Sequence, residues 1–155
     1  MPEKKSLQQV NATQDAPLDQ SLLLGLVGYN CKRAYLHIKP MFDKRMAKYD
    51  LRPVDFTVLS LLKANPNLSQ KRLSAAIHVS PPNLAILLDR LASRGLLARQ
   101  RNPQDKRSQM LVLTTEGKRL CGKAEKTVGE LEASASSALT AAERAELIRL
   151  LQKIG

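Results

Sequence analysis

Two short helices with almost nothing between them constrain this chain more than any other feature. Ser69 is placed to cap a helix over Gln70 to Ile77 with Leu73, Ala76 and Ile77 inward, and Ser80 to cap another that begins at Pro81-Pro82 and stops at Gly95. Only His78-Val79-Ser80 separates them. Two capped helices joined by a three-residue turn are the sequence form of a helix-turn-helix, whose second helix enters a DNA major groove.

What flanks this pair decides the rest of the fold. Upstream, Pro53 suits the first turn of a helix with Val54, Val58, Leu61 and Leu62 on one face up to Ala64, and Asn65-Pro66-Asn67 ends it. Downstream of Gly95 the period falls from helical to alternating. Leu97, Arg99 and Arg101 alternate with Leu96, Ala98 and Gln100, and beyond Asn102-Pro103-Gln104-Asp105 the run Met110 to Leu113 is a second strand. A hairpin with a charged tip beside a helix-turn-helix is a winged helix-turn-helix. Both ends of the chain are helical. Leu22, Leu23, Leu26, Val27, Asn30, Ala34, Ile38 and Met41 recur at three- and four-residue steps, predicting a helix from Asp19 to Tyr49, about 45 Å long and kinked at Pro40. Its apolar stripe is too long to bury against a small domain, so it calls for a partner helix, including one from another subunit. Thr114 or Thr115 caps a long helix up to about Leu139, and Thr140-Ala141-Ala142-Glu143 is a capping box opening a last one with Leu147, Leu150 and Leu151 together. The fold class is therefore mainly α, an α+β winged helix between long terminal helices.

Charge points to the partner. The net charge of +11 divides as 0 over residues 1–18, +3 over 19–50, +7 over 51–113 and +1 over 114–155. A positive field concentrated on the winged segment attracts polyanions, and double-stranded DNA is the partner that this geometry suits. The second helix offers Pro81, Pro82, Asn83, Ala85 and Ile86 to base edges, and the hairpin tip can lay Arg107 and Lys106 into the adjacent minor groove. Lys71, Arg72, Arg90, Arg94 and Arg101 remain for phosphates or for the helix surface, and the caps Ser69 and Ser80 belong to the same candidate surface.

These residues resemble the multiple antibiotic resistance regulator (MarR) family. Asp105-Lys106-Arg107, the strand Met110 to Leu113, then Thr114 and Gly117 match its wing signature, and Leu91, Arg94-Gly95-Leu96 and Arg99 fall where that family leaves its recognition helix. The resemblance spans residues 19–153. It implies a homodimer whose first and last helices interleave, on a pseudo-palindromic operator, acting as a repressor released by a small effector such as an aromatic carboxylate. On that plan residues 1–18 are a flexible arm, 19–50 a dimerisation helix, 51–113 the DNA-binding domain and 114–155 the C-terminal dimerisation helices. Asp105 would brace the wing and Arg107 enter the minor groove. The family often has Thr and Arg where this chain has Ala85 and Ile86, so readout here leans on Asn83, thymine methyls and DNA shape.

Arg33 and His37 lie four apart and share a helix face, near where family pockets open; Tyr29, Arg45 and Phe56 complete the candidate effector set. The stretches Gly28 to Tyr35 and Leu51 to Phe56 look like the branch that controls aromatic-acid catabolism, some of whose members sense an acyl-coenzyme A thioester. Lys32, Arg33, Lys39, Lys44 and Arg45 are cations available to its phosphates. Solvated surface is the plainer reading of these groups.

Other classes fare less well. Cys31 and Cys121, without a C-x-x-C and with only His37 and His78 beside them, form neither a disulfide framework nor a zinc site, and point to the cytoplasm. Residues 22–27, the longest apolar run, are interrupted by Gly25 and far below the roughly 18 residues that span a bilayer. There is no phosphate-binding glycine loop, metal pair or nucleophile elbow, so no cofactor or metal is expected and the chain does not read as an enzyme. Two alternatives stay open: a redox-sensing repressor using Cys31, and an architectural protein that coats DNA with little sequence preference.

Overall fold

The computed structural model describes residues 18–101 and 109–154. Residues 1–17 of the expected arm (1–18) and the hairpin tip, with Asp105, Lys106 and Arg107, lie outside the described residues. The chain divides into two compact units, residues 1–36 and 37–155.

In the first unit the continuous helix expected from Asp19 is broken. α1 (Ser21–Leu24) is a single turn, and α2 (Val27–Met46) begins only after Gly25 and Leu26. Glycine costs about 1 kcal/mol in a helix interior relative to alanine. A side chain makes the break tolerable: the Asn30 amide donates to the carbonyls of both Leu24 and Leu26 at 2.8 Å. Asp19 starts α1 by accepting the Ser21 N–H at 2.9 Å. Leu22, Leu23, Leu26, Val27, Tyr35 and Leu36 are exposed, so the apolar stripe exists but is uncovered in the single chain.

The second unit begins inside α2, which runs through Pro40 and ends in a 3₁₀ turn, Ala47–Tyr49. It continues as α3 (Pro53–Ala64), β1 (Leu68–Ser69), α4 (Gln70–Ile77), α5 (Pro81–Ser93), β2 (Leu97–Arg101), β3 (Gln109–Leu113), α6 (Thr115–Ala135) and α7 (Ala141–Leu151). The order is that of a winged helix. The hairpin is widened by a third strand that alternation could not reveal: β1 pairs antiparallel with β3, giving the order β1-β3-β2 with Leu68 and Arg99 both opposite Leu111.

One apolar core holds these elements. Val58 and Leu59 of α3, Leu73 of α4, Leu84, Leu88 and Leu91 of α5, Leu111 of β3 and Leu131 of α6 are buried together with Met46 from the end of α2. Each such side chain contributes about 1.5–3 kcal/mol by leaving water. Along α5 the buried positions Leu84, Leu87, Leu88 and Leu91 are one helical stripe, which leaves the opposite face free. α6 stops at Ala135, short of Leu139, because the serines there bond locally: Ser136 Oγ donates back to the Glu132 carbonyl. α7 opens on the expected capping box, with Thr140 Oγ1 accepting from Glu143 N–H and the Glu143 carboxylate accepting from Thr140 N–H.

Gly117 fixes the corner between sheet and helix. A Cβ there would stand 1.9 Å from the Leu96 carbonyl oxygen, so no other residue fits without moving backbone. Thr114 holds the same corner, donating to the Gly95 carbonyl at 2.6 Å and accepting the Gly117 N–H at 2.9 Å. Gly95 has φ +68°, a left-handed conformation that suits glycine at a helix end.

Candidate nucleic-acid interface

α4 and α5 meet at a turn secured from inside α4. His78 takes the left-handed conformation (φ 52°), and Ser74 Oγ donates to the Val79 carbonyl at 2.7 Å. Ser69 caps α4 as expected, its hydroxyl accepting the Arg72 N–H at 3.3 Å. Ser80 does not cap α5 through its side chain, although its backbone is extended as a cap requires. The reason lies in the next two residues: Pro81 and Pro82 have no N–H, so half of the donors that a cap would satisfy are missing.

The free face of α5 matches the candidate reading residues. Pro81, Pro82 and Asn83 are exposed, Ala85 is half-buried, and Ile86 is 69% exposed, an apolar group in water with no core to serve. Lys71 and Arg72 at the start of α4 are exposed, as is Arg101 at the end of β2, and none of the three has an acidic partner among the described residues. Uncommitted cations around an exposed helix face can meet phosphates without first breaking an ion pair.

The remaining arginines, Arg90 among them, are engaged within the fold. Arg90 is bonded to Asp55 of α3, a carboxylate with no exposure at all. Asp55 also accepts the Arg52 N–H at 2.7 Å and the Arg52 guanidinium at 3.2 and 3.3 Å. Burial pushes the Asp55 carboxyl up, but the bonds from Arg52 and Arg90 together hold it below the usual carboxylate range. A charge taken this far from water needs both arginines, so Arg90 fastens α5 to α3. Arg94 grips the corner after the 3₁₀ turn, donating to the Tyr49 carbonyl at 2.8 Å and the Asp50 carbonyl at 2.6 Å. Arg99 pairs with Asp89 at 2.7 Å, tying β2 to the side of α5. Sequence reasoning missed Asp55, Asp50 and Ser74. Only Asp55, an acid three residues after a helix start, left a trace in the sequence.

The effector candidates are divided between the two units. In the first, the Arg33 guanidinium lies 5.8 Å from the centroid of the Tyr29 ring, and Tyr29 Oη donates to Gln20 at 3.2 Å. In the second, His37 is exposed, Phe56 meets Phe42 edge to face at 6.0 Å, and Arg45 lines a cavity with Lys44 and Lys48. Of the five, only Arg45 touches that cavity. Cys121 is buried in α6, and burial pushes its thiol up to about 11, which keeps it protonated and unreactive. Cys31 is exposed. Among the described residues no helix is long and apolar enough to cross a membrane, and no cluster of three His, Cys, Asp or Glu could hold a metal.

The MarR family model matches residues 51–109, the span of the winged helix. The transcriptional repressor CouR, solved bound to a 23-mer DNA duplex, is 35% identical, with a TM-score of 0.84 over 90% of this chain and 99% of its own. The same repressor bound to p-coumaroyl-CoA gives 34% and 0.78, covering 89% of this chain and 97% of its own. An HTH-type transcriptional repressor of Mycobacterium tuberculosis is 29% identical over 91% of this chain and 95% of its own length. BpsR of Bordetella bronchiseptica, whose DNA binding is regulated by 6-hydroxynicotinic acid, is 26% identical with a TM-score of 0.78 over 90% and 97%.

Proposed function

The chain belongs to the MarR family, whose matched members here are transcriptional regulators and not enzymes, and from that membership we propose that it is a ligand-released repressor. It binds a pseudo-palindromic operator as a homodimer, and an aromatic acid or its coenzyme A thioester releases it. The observation that carries this reading is the division of labour around α5: Arg90, Arg94 and Arg99 hold the helix, while Asn83, Ile86, Lys71, Arg72 and Arg101 are left facing outward.

On this reading Pro81, Pro82, Asn83, Ala85 and Ile86 enter the major groove, with Ser69 and Ser80 at its edge. Ile86 is suited to the methyl of a thymine. Arg107 and Lys106 reach the neighbouring minor groove, with Asp105 bracing the wing. Lys71, Arg72 and Arg101 meet phosphates, each adding about 0.9 to the salt slope. Dimerisation is supported by the uncovered apolar residues of both ends, Leu22 and Val27 near the start and Leu147, Ile148 and Leu151 of α7. Release is supported by the relatives: CouR is solved bound to p-coumaroyl-CoA, and 6-hydroxynicotinic acid regulates DNA binding by BpsR. Tyr29, Arg33, His37, Arg45 and Phe56 are the proposed effector contacts. A ligand that prefers the DNA-incompatible state a hundredfold biases the equilibrium by about 2.7 kcal/mol, enough to derepress.

Footprinting the protein on its own upstream DNA tests the reading against a non-specific DNA coat. A repressor of this kind protects two half-sites about one helical turn apart and prefers them about a thousandfold over bulk DNA. Uniform protection of every sequence would refute it.

A further inference from the structure

A cavity of about 530 Å³ opens in the second unit between the end of α2 and the middle of α6, lined by Met41, Lys44, Arg45, Lys48, Thr127 and Glu130. That volume is within the roughly 300–1,000 Å³ of small-molecule sites. The α2 residues sit at helical spacing and share one face. Three cations thus stand against one carboxylate, and none of Lys44, Arg45 and Lys48 has an ion-pair partner among the described residues. The contrast with Lys63, which is paired with Glu125 on the same α6, is plain. Such a lining is complementary to a ligand carrying two or more negative charges, and the planar fork of Arg45 between two lysine point charges suits phosphate oxygens.

The cavity wall is also an anchorage for α5. Buried Thr127 is bonded through its hydroxyl to Tyr49 Oη at 2.9 Å, and the Lys48 ammonium sits 4.9 Å from the centroid of the Tyr49 ring. Tyr49 ends the 3₁₀ turn, and its carbonyl, with that of Asp50, is what Arg94 at the end of α5 holds. Arg90 Nη1 lies 3.7 Å from the Asp50 carboxylate. A ligand that draws Lys48 toward itself therefore acts on the corner to which two arginines from the end of α5 are tied.

We propose that this cavity binds a small molecule through two or more phosphate groups and that its occupancy reaches α5 through the Tyr49-Asp50 corner. The transmission rests on reading α5 as the DNA-contacting helix; the binding does not. Neither Lys44 nor Lys48 lies on the α4–α5 face, so their neutralisation leaves operator affinity in place.

The test titrates the full-length chain with coenzyme A and with inorganic pyrophosphate by calorimetry in phosphate-free buffer, then repeats both with Lys44→Gln/Lys48→Gln. Both probes bind the wild type, and the double variant binds coenzyme A at least about tenfold more weakly. Tyr49→Phe binds coenzyme A as the wild type does, but the effect of coenzyme A on operator affinity, about five- to 150-fold in coupled systems, shrinks. Wild type that binds neither probe, or a double variant that binds both unchanged, overturns the site. A double variant that loses operator affinity while keeping the probes assigns the lysines to DNA and also overturns it. If a free aromatic acid releases operator while neither probe binds, the cavity is refuted and the repressor reading stands. If the probes bind with the predicted lysine dependence but no operator is preferred, the site stands and the transmission falls with the repressor reading.

Discussion

Asp55→Asn isolates what the buried carboxylate does, because the amide keeps the shape and one acceptor while removing the charge. Three losses can be sized from the structure. The Arg52 guanidinium is 59% exposed, so its pairing with Asp55 contributes at most about 1 kcal/mol. An anion in the first turn of α3, where Asp55 accepts the Arg52 N–H, adds about 0.3–1 kcal/mol. Arg90 is less exposed, at 31%, and its charge-assisted bond is worth about 1.5–3 kcal/mol. Together the variant should lose about 2–5 kcal/mol, a large share of the roughly 5–15 kcal/mol that holds a domain folded. Urea unfolding followed by circular dichroism at pH 7 should show a lower midpoint at unchanged slope. The pH dependence gives an independent check. The folded carboxyl lies below its unfolded value of about 3.9, so its stabilisation is present above that pH and fades as pH falls through the depressed folded value. The gap between wild type and variant should therefore close in acid. A loss under about 1 kcal/mol at pH 7, or a gap that persists undiminished to about pH 2, would mean that the Asp55 charge does not hold α5 to α3.

Other substitutions probe separate parts of the account. Gly117→Ala forces a Cβ against the Leu96 carbonyl and should cost at least about 3 kcal/mol in thermal or urea unfolding, and a near-neutral result would mean that the corner is looser than it looks. Leu147→Glu with Leu151→Glu should convert a dimer into monomers in sedimentation and reduce operator affinity; a dimer that survives would move the interface away from α7. Arg107→Ala should weaken binding to all DNA and lower the salt slope by about 1, and unchanged affinity would remove the wing from the groove. Arg33→Ala should leave operator binding intact and abolish release by an aromatic effector, which an intact response would contradict.

Much of the winged lobe is legible in the sequence because its signals are local. Pro53, Ser69, Pro81 and Gly95 mark helix ends by backbone chemistry that acts within a few residues, and the elements begin and end there. Thr140 and Glu143 announce α7 in the same way. What escaped is non-local or too short to have a period. β1 is two residues long and exists only because β3 lies beside it. The break at Gly25 depends on Asn30 reaching back to two carbonyls, a choice that an apolar stripe does not encode. Arg90 reads as one more surface cation until Asp55, 35 positions earlier, is placed against it. The candidate reading face was found through exposure that the α5 stripe leaves over, whereas the cavity on α2 needed α6 to close it.

On the proposed function, this protein binds one DNA sequence specifically and gives it up to a small anionic ligand. Fluorescence anisotropy on labelled duplex from its own upstream region, against scrambled duplex at the same fixed salt, with free aromatic acids and their coenzyme A thioesters titrated in, tests both halves at once. Binding should be about a thousandfold tighter to the upstream duplex and reversed by a ligand of one of those two classes. Equal affinity for both duplexes, unmoved by every ligand, would contradict it.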